Sequence, residues 1–229
     1  MMDIIMTGNS IKKCFRVGGD DFYALKGVDI EIPKSKLTIL KGRSGSGKTT
    51  LLNALSTLDA PTSGDVIFNG VSYSSLSDAD KEALRRKDIG FVFQSVALIP
   101  IMNAYENVDF ALRLADWKGD KKTRITDVLS LVRMDERALH MPGQMSGGEQ
   151  QRIAIARAIA HTPKIVFADE PTGALDTDTG IKVMRLFKSL IEHEGVTIVM
   201  TTHDPNLMQL GDVVYEMEDG ELVERIENN

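Results

Sequence analysis

"GRSGSGKT", residues 42–49, is the stretch that decides the fold. It matches G-x-x-x-x-G-K-[ST] at Gly42, Gly47, Lys48 and Thr49. A short apolar run, "KLTIL", precedes it, and "TTLLNALSTL" continues it with a helical pattern. Strand, glycine-rich loop and helix, in that order, form the context in which this pattern cradles phosphates. Glycine lets the backbone close tightly around an anion. The loop amides and the start of the helix supply positive potential. Lys48 is expected to reach the β- and γ-phosphates of a nucleotide, and the Thr49 hydroxyl to ligate Mg²⁺.

A phosphate cradle needs carboxylates opposite it, and "KIVFADEP" (164–171) provides them. The near-continuous apolar run suits a central parallel strand buried on both faces. Its end carries Asp169 and Glu170, at the strand edge where such sheets bind ligands. Asp169 is expected to hold Mg²⁺, directly or through water. Adjacent strand residues face opposite ways, which frees Glu170 to orient or deprotonate a water. Two more buried runs, "IGFVFQ" and "VTIVMTTHD", place Gln94 and His203 at the same edge. Gln94 is read as a sensor of Mg²⁺ or water, and His203 as a hydrogen-bond donor to the γ-phosphate.

The rest of the chain supports an α/β core. "ALKGVDIEI" alternates Val28, Ile30 and Ile32 with Asp29 and Glu31, which predicts a half-exposed antiparallel strand. "GDVIFNG" is another strand between glycines, and residues 77–87 read as a helix with a Ser77/Asp80 capping box. Residues 98–145 change character. "NAYENVDFALRLADWK", with Asn103 and Glu106 spaced for a capping box, and "KTRITDVLSLVR" predict a helical insertion. A helix is expected over 178–193, stopping at Gly195, and an Asp219-Gly220 hairpin closes the chain.

A second serine–glycine turn stands apart from these. "SGGEQQRIAIARAIAH" (146–161) opens a helix whose Ile153, Ile155, Ala156, Ile159 and Ala160 share one side. It too is an anion site in prospect, yet it ends the helical insertion rather than a core strand. The economical expectation is that it serves the nucleotide of a neighbouring copy, in a two-fold dimer that ATP seals.

Composition sets outer limits. The 229 residues are 42% hydrophobic and 26% charged, with a net charge of −6. No global positive field favours nucleic acid, and no nucleic-acid partner is expected. One cysteine, Cys14, fits a packed small hydrophobe in a reducing compartment. The N-terminal "MMDIIMTGNSIKK" makes a poor secretory signal, and the apolar runs are too short to span a bilayer.

"GRSGSGKTT", "FVFQ", "MSGGEQQR", "IVFADEP", "ALD" and "TTHD" occur in one order and spacing. Together they resemble the nucleotide-binding domain of an ATP-binding cassette (ABC) protein over essentially the whole chain. The resemblance implies an α/β P-loop NTPase core with a parallel sheet, an N-terminal antiparallel β subdomain and an α-helical subdomain inserted over about 96–148. All of it belongs to one domain, 1–229. It implies ATP and Mg²⁺ as ligands, an active ATPase with Glu170 as catalytic base, and a homodimer on ATP binding. Phe15 matches the aromatic that stacks on adenine, where the family more often has Tyr. The resemblance also implies that Gly42, Ser44, Gly45, Ser46, Gly47, Lys48, Thr49 and Thr50 make the loop's nucleotide contacts, that Ser146, Gly147 and Gly148 make theirs in trans, and that Asp176 of "ALD" couples the two sites. Glu149 stands where the commonest signature has Gln, and Met145 replaces Leu.

"FADEPTGALD" and "IGFVFQ...LIP" resemble one branch, the macrolide-exporter, lipoprotein-release and antimicrobial-peptide-resistance ATPases. That implies a separate membrane permease, a location at the cytoplasmic face of the membrane, and export or extraction by mechanotransmission. A cell-division or cell-wall ATPase that signals without transport is the alternative. The permease would dock near Gln94 and residues 95–107. Val96, Leu98, Ile99, Ile101 and Met102 are available there, although most of them are expected in the core.

Overall fold

The computed structural model describes residues 3–228. It opens with β1 (Ile4–Val17) and β2 (Asp20–Pro33), a long antiparallel pair in which Phe15 faces Phe22. β3 (Leu37–Lys41) runs into the Gly42–Thr49 loop and α1 (Lys48–Leu55). β4 (Ser63–Phe68), β5 (Val71–Ser72), α2 (Asp78–Lys87) and β6 (Ile89–Val92) follow. Then come α3 (Ala104–Leu114), α4 (Lys121–Leu131) and α5 (Gly147–Ile159). β7 (Ile165–Ala168), α6 (Thr177–Glu194), β8 (Thr197–Thr202), α7 (Pro205–Met208), β9 (Val213–Glu218) and β10 (Glu221–Glu227) complete the chain.

Two sheets result. One is antiparallel, in the order β2-β1-β4-β5. The other is ordered β10-β9-β3-β8-β7-β6, parallel from β9 to β6 with β10 added antiparallel at the edge. The parallel strands alternate between two cores, as period-two geometry demands. Val166, Ala168, Ile198 and Met200 face α3–α6, and these helices share one apolar cluster with them. Ile165, Phe167 and Val199 face the opposite side, where α1 and the antiparallel sheet pack. Both faces are therefore covered, which is why every residue of "IVFA" and "TIVMTT" is buried.

Local chemistry sets the ends of the helices. The capping boxes Ser77/Asp80 and Asn103/Glu106 both form, and α6 stops on Gly195 in the left-handed region. Asp219 and Gly220 both take positive φ between β9 and β10, which matches the twist of a two-residue hairpin.

One strand was missed and two expectations need correction. β1 was not visible in the sequence, because register shifts between Gly8 and Ile11 break its alternation. The strands leading to Gln94 and His203 end earlier, at Val92 and Thr202, so both side chains sit on loops. And none of Val96, Leu98, Ile99, Ile101 or Met102 is fully buried. Ile101 is 82% exposed. The segment runs over the surface, and only Leu98 packs against the core.

Candidate active site

The loop after β3 is built around its glycines. Gly42 has φ 152 and Gly47 φ 104. A side chain at Gly42 would meet the Met217 carbonyl, and one at Gly47 the Ala24 carbonyl, so neither position admits a Cβ. Lys48 lies folded into the loop, 5% exposed. Its Nζ donates to the carbonyls of Gly42 (2.8 Å) and Arg43 (2.9 Å). Burial pushes the Lys48 ammonium below its ordinary value, while Glu170 and Asp169 pull it back up. The Ser46 hydroxyl is buried with no partner among the described residues. A buried orphan hydroxyl is costly unless something else satisfies it.

The carboxylates arrive as the strand order requires. Thr49 Oγ1 donates to Asp169 Oδ1 (3.1 Å), and Thr201 Oγ1 donates to the same oxygen (2.7 Å). Thr201 in turn accepts from the Glu170 amide at 2.8 Å. Glu170 itself has φ 42, a left-handed conformation that few non-glycine residues hold without a reason. Its two carboxylate oxygens are approached by Gln94 Nε2 (3.2 Å) and His203 Nδ1 (3.4 Å). Lys48 and Thr49 at the start of α1, Asp169 and Glu170 after β7, Gln94 after β6 and His203 after β8 thus form one edge. Phe15 is 39% exposed on β1, with Lys13 Nζ 5.3 Å from its ring centre.

The turn at 146–148 belongs to another surface. Ser146 caps α5, and its hydroxyl accepts from the Glu149 amide. Glu149 Oε2 accepts from the Ser146 amide at 2.8 Å, and Arg137 Nε holds the other oxygen at 3.2 Å. The Glu149 carboxyl is held below the usual carboxylate range, first by the Ser146 amide and then, more weakly, by Arg137. Gly148 packs so close to α6 that a Cβ would lie 2.8 Å from Thr179 Cγ2. Asp176 caps α6 through the Thr179 amide and hydroxyl, and the hydroxyl chiefly depresses its pKa. The hollow that holds Ser146, Gly147, Gly148 and Asp176 is lined by none of residues 42–50 among the described residues.

Residues 25–173 match the family model described as ABC transporter. The chain belongs to the ABC transporter family of ATP-binding proteins. It is 43% identical to the ABC transporter ATP-binding protein MJ0796 of Methanocaldococcus jannaschii, over 95% of this chain and 94% of that one. The dimeric structure of the MJ0796 cassette in a post-hydrolysis state, bound to ADP and Pi, superposes with a TM-score of 0.89 at 38% identity, covering 98% and 99% of the two chains. The macrolide export ATP-binding/permease protein MacB of Syntrophobacter fumaroxidans is 42% identical over 96% of this chain, which spans 31% of that protein. The lipoprotein-releasing system ATP-binding protein LolD of Hyphomonas neptunium is 36% identical over 99% of this chain and all of its own. This ABC chain is accordingly an ATP-binding protein and an ATPase with an α/β P-loop fold. No helix among the described residues is long and apolar enough to cross a membrane.

Three participants in the site were missed in the sequence. Thr201 links Asp169 to Glu170, but one hydroxyl inside an apolar strand gives no signal. Arg137 lies in a short 3-10 turn twelve residues before Glu149. Arg157 is on α5, yet it turns inward and donates to the Ala97 carbonyl (2.6 Å) and the Val96 carbonyl (3.4 Å). Val96 and Ala97 both have positive φ, so a strained strap beyond Gln94 is held by the helix that the 146–148 turn opens.

Proposed function

We propose that residues 1–229 form one ABC ATPase domain, with a helical subdomain over about 96–148, and that its reaction site is completed by a second copy. The observation that carries this reading is the separation of the two anion turns. Phosphate loop, Asp169 and Glu170 share one edge, while Ser146–Gly148 line a hollow without them. A two-fold dimer pairs each loop with the partner's turn, so ATP bridges two chains.

Within such a site Phe15 stacks on adenine. The amides and hydroxyls of residues 42–50 take the phosphates, and Lys48 leaves its carbonyl partners for the β- and γ-phosphates. The donor set fits Mg²⁺: the Thr49 hydroxyl and the Asp169 carboxylate are hard oxygens already adjacent, and they would hold the ion. Gln94 is the third candidate ligand. Mg²⁺ would neutralise charge on the phosphate oxygens. Glu170 takes a proton from water as the water oxygen bonds to Pγ. The bond from Pγ to the bridging oxygen breaks, leaving ADP and inorganic phosphate. His203 donates to the γ-phosphate oxygens as charge shifts, and Asp176 relays the state of one site to the other.

The relatives MacB and LolD support coupling to a membrane permease for export or lipoprotein release. The exposed 95–102 strap, with Ile101 outermost, is the docking surface we assign to it, at the cytoplasmic face. The test is mass by light scattering of Glu170→Gln with ATP and Mg²⁺. A doubling of mass that ADP does not produce is expected; a monomer at saturating ATP would remove the shared site. Co-purification with a permease tests the export role separately.

A further inference from the structure

A trough of about 400 Å³ opens where the end of α4 meets α5 and α6. Its floor is apolar, with Val132 and Leu186, and its walls carry Arg133, Arg152, Lys182 and Arg185. No acidic side chain lines it among the described residues. Other hollows mix the signs: Asp29 and Glu31 with Arg225 in one, Asp65 and Asp78 with Lys81 and Arg85 in another. The chain has 27 basic and 33 acidic residues, so four cations without an acid are not the default of its composition. Carboxylates come in only at the adjoining hollow, where Glu149 pairs with Arg137, Asp176 caps α6, and Asp135 and Glu136 stand without a basic partner among the described residues.

This arrangement is set by the fold. Arg152 is half-buried, and its Nη1 donates to the Val132 carbonyl at 3.3 Å. Like charges held together repel, most where apolar walls lower the local dielectric, and an anion relieves that repulsion. Guanidinium forks match phosphate oxygens two at a time, and a lysine adds a point charge. Arg133, Arg152 and Lys182 also line the hollow that contains Ser146, Gly147 and Gly148. Trough and turn are therefore one continuous surface.

We propose that the trough binds inorganic phosphate and carries the ion from the 146–148 turn to solvent after hydrolysis. The second half rests on the shared-site reading above; the binding itself does not. Phosphate is the fitting occupant because the trough adjoins the point where the γ-phosphoryl group is freed, and because its volume suits one hydrated oxyanion.

The experiment is a calorimetric titration of inorganic phosphate into the nucleotide-free Lys48→Ala chain, whose own phosphate loop is disabled. Saturable binding is expected, weakened tenfold or more when Lys182→Ala and Arg185→Ala are added. Equal binding in both chains, or none in a Lys48→Ala chain with a native circular dichroism spectrum, overturns the site. If Lys48→Ala does not fold, the wild-type chain saturated with ADP and Mg²⁺ replaces it, against Arg185→Glu in the same state. A hexaglutamate peptide that binds where phosphate does not would overturn the assignment in favour of a protein partner. A second arm separates bulk phosphate from product. In steady-state turnover, the chain with Lys48 intact and only Lys182→Ala and Arg185→Ala changed should show a tenfold rise in the phosphate inhibition constant with an unchanged KM for ATP. An unchanged inhibition constant overturns the release role. Should dimerisation fail while the titration succeeds, the shared-site reading falls and the anion site remains.

Discussion

Two serine–glycine turns open helices in this chain, and they are built in opposite ways. The 42–49 loop holds its glycines at positive φ, wraps its own Lys48 and presses against Met217 and Ala24. The 146–148 turn has ordinary helical glycines and no lysine, and it closes on itself through Glu149. The first is a cradle furnished from one chain. The second is a helix cap whose first amide already donates to a carboxylate of its own. The difference teaches that a helix start alone does not define a phosphate site; what defines it is which groups remain unsatisfied. Ser46 is left without a partner among the described residues in the first turn, whereas Ser146 is satisfied in the second.

The sharpest way to break this comparison is to damage the turns separately and then mix the chains. Lys48→Ala and Ser146→Arg should each reduce turnover to background. In a mixed dimer one interface pairs both defects and the other pairs none, so activity should return in the mixture. A mixture as dead as its components would mean that each chain works alone. Glu170→Gln comes next. Loss of a general base costs roughly 10²- to 10⁴-fold, and single-turnover assays should show that loss with ATP still bound. Lys48→Ala alone should weaken ATP about 10- to 100-fold by calorimetry, the scale of a lost charge-assisted contact of about 1.5–3 kcal/mol.

How much of this was legible depended on whether chemistry and period coincided. The phosphate loop was legible because Gly42 and Gly47 stand where no other residue fits, and because apolar runs flank them. Asp169 and Glu170 were legible because a strand buried on both faces rarely ends in two acids. β1 was not, since its bulges scramble period two. Arg157 was not, since a polar residue on an amphipathic helix reads as solvent-facing; only the folded chain brings the Val96 and Ala97 carbonyls to it. Turn strain at Val96, a β-branched residue at φ 62, cannot be read from residue type.

A smaller effect is expected at the contact between the turn and α6. Gly148→Ala places a methyl against Thr179 Cγ2, and Thr179 can yield only by loosening its bonds to Asp176. A loss of about 1 kcal/mol in stability, read by urea midpoint, should accompany a several-fold drop in turnover. A drop in stability alone would leave Asp176 as a cap with no coupling role.

The mildest change tests the 146–148 turn most directly. Glu149→Gln keeps an acceptor for the Ser146 amide but removes its charge and the pairing with Arg137. An incoming γ-phosphate then displaces a neutral amide in place of an anion, so ATP-driven dimerisation should tighten by a few-fold, and the gain should shrink as salt screens it. The pH dependence gives an independent check. Because the Ser146 amide and Arg137 hold the Glu149 carboxyl below its ordinary 4.5, the folded chain binds that proton more weakly than the unfolded one. Its stabilising contribution is complete above the unfolded value and drains as pH falls through the folded one. Glu149→Gln should therefore lower stability at neutral pH by that contribution, flatten the fall in stability on the acid side of 4.5, and leave the slope near neutral pH unchanged. If the acid slope survives the substitution, the Glu149 carboxylate is not what closes the turn, and the contrast between the two turns loses its electrostatic basis.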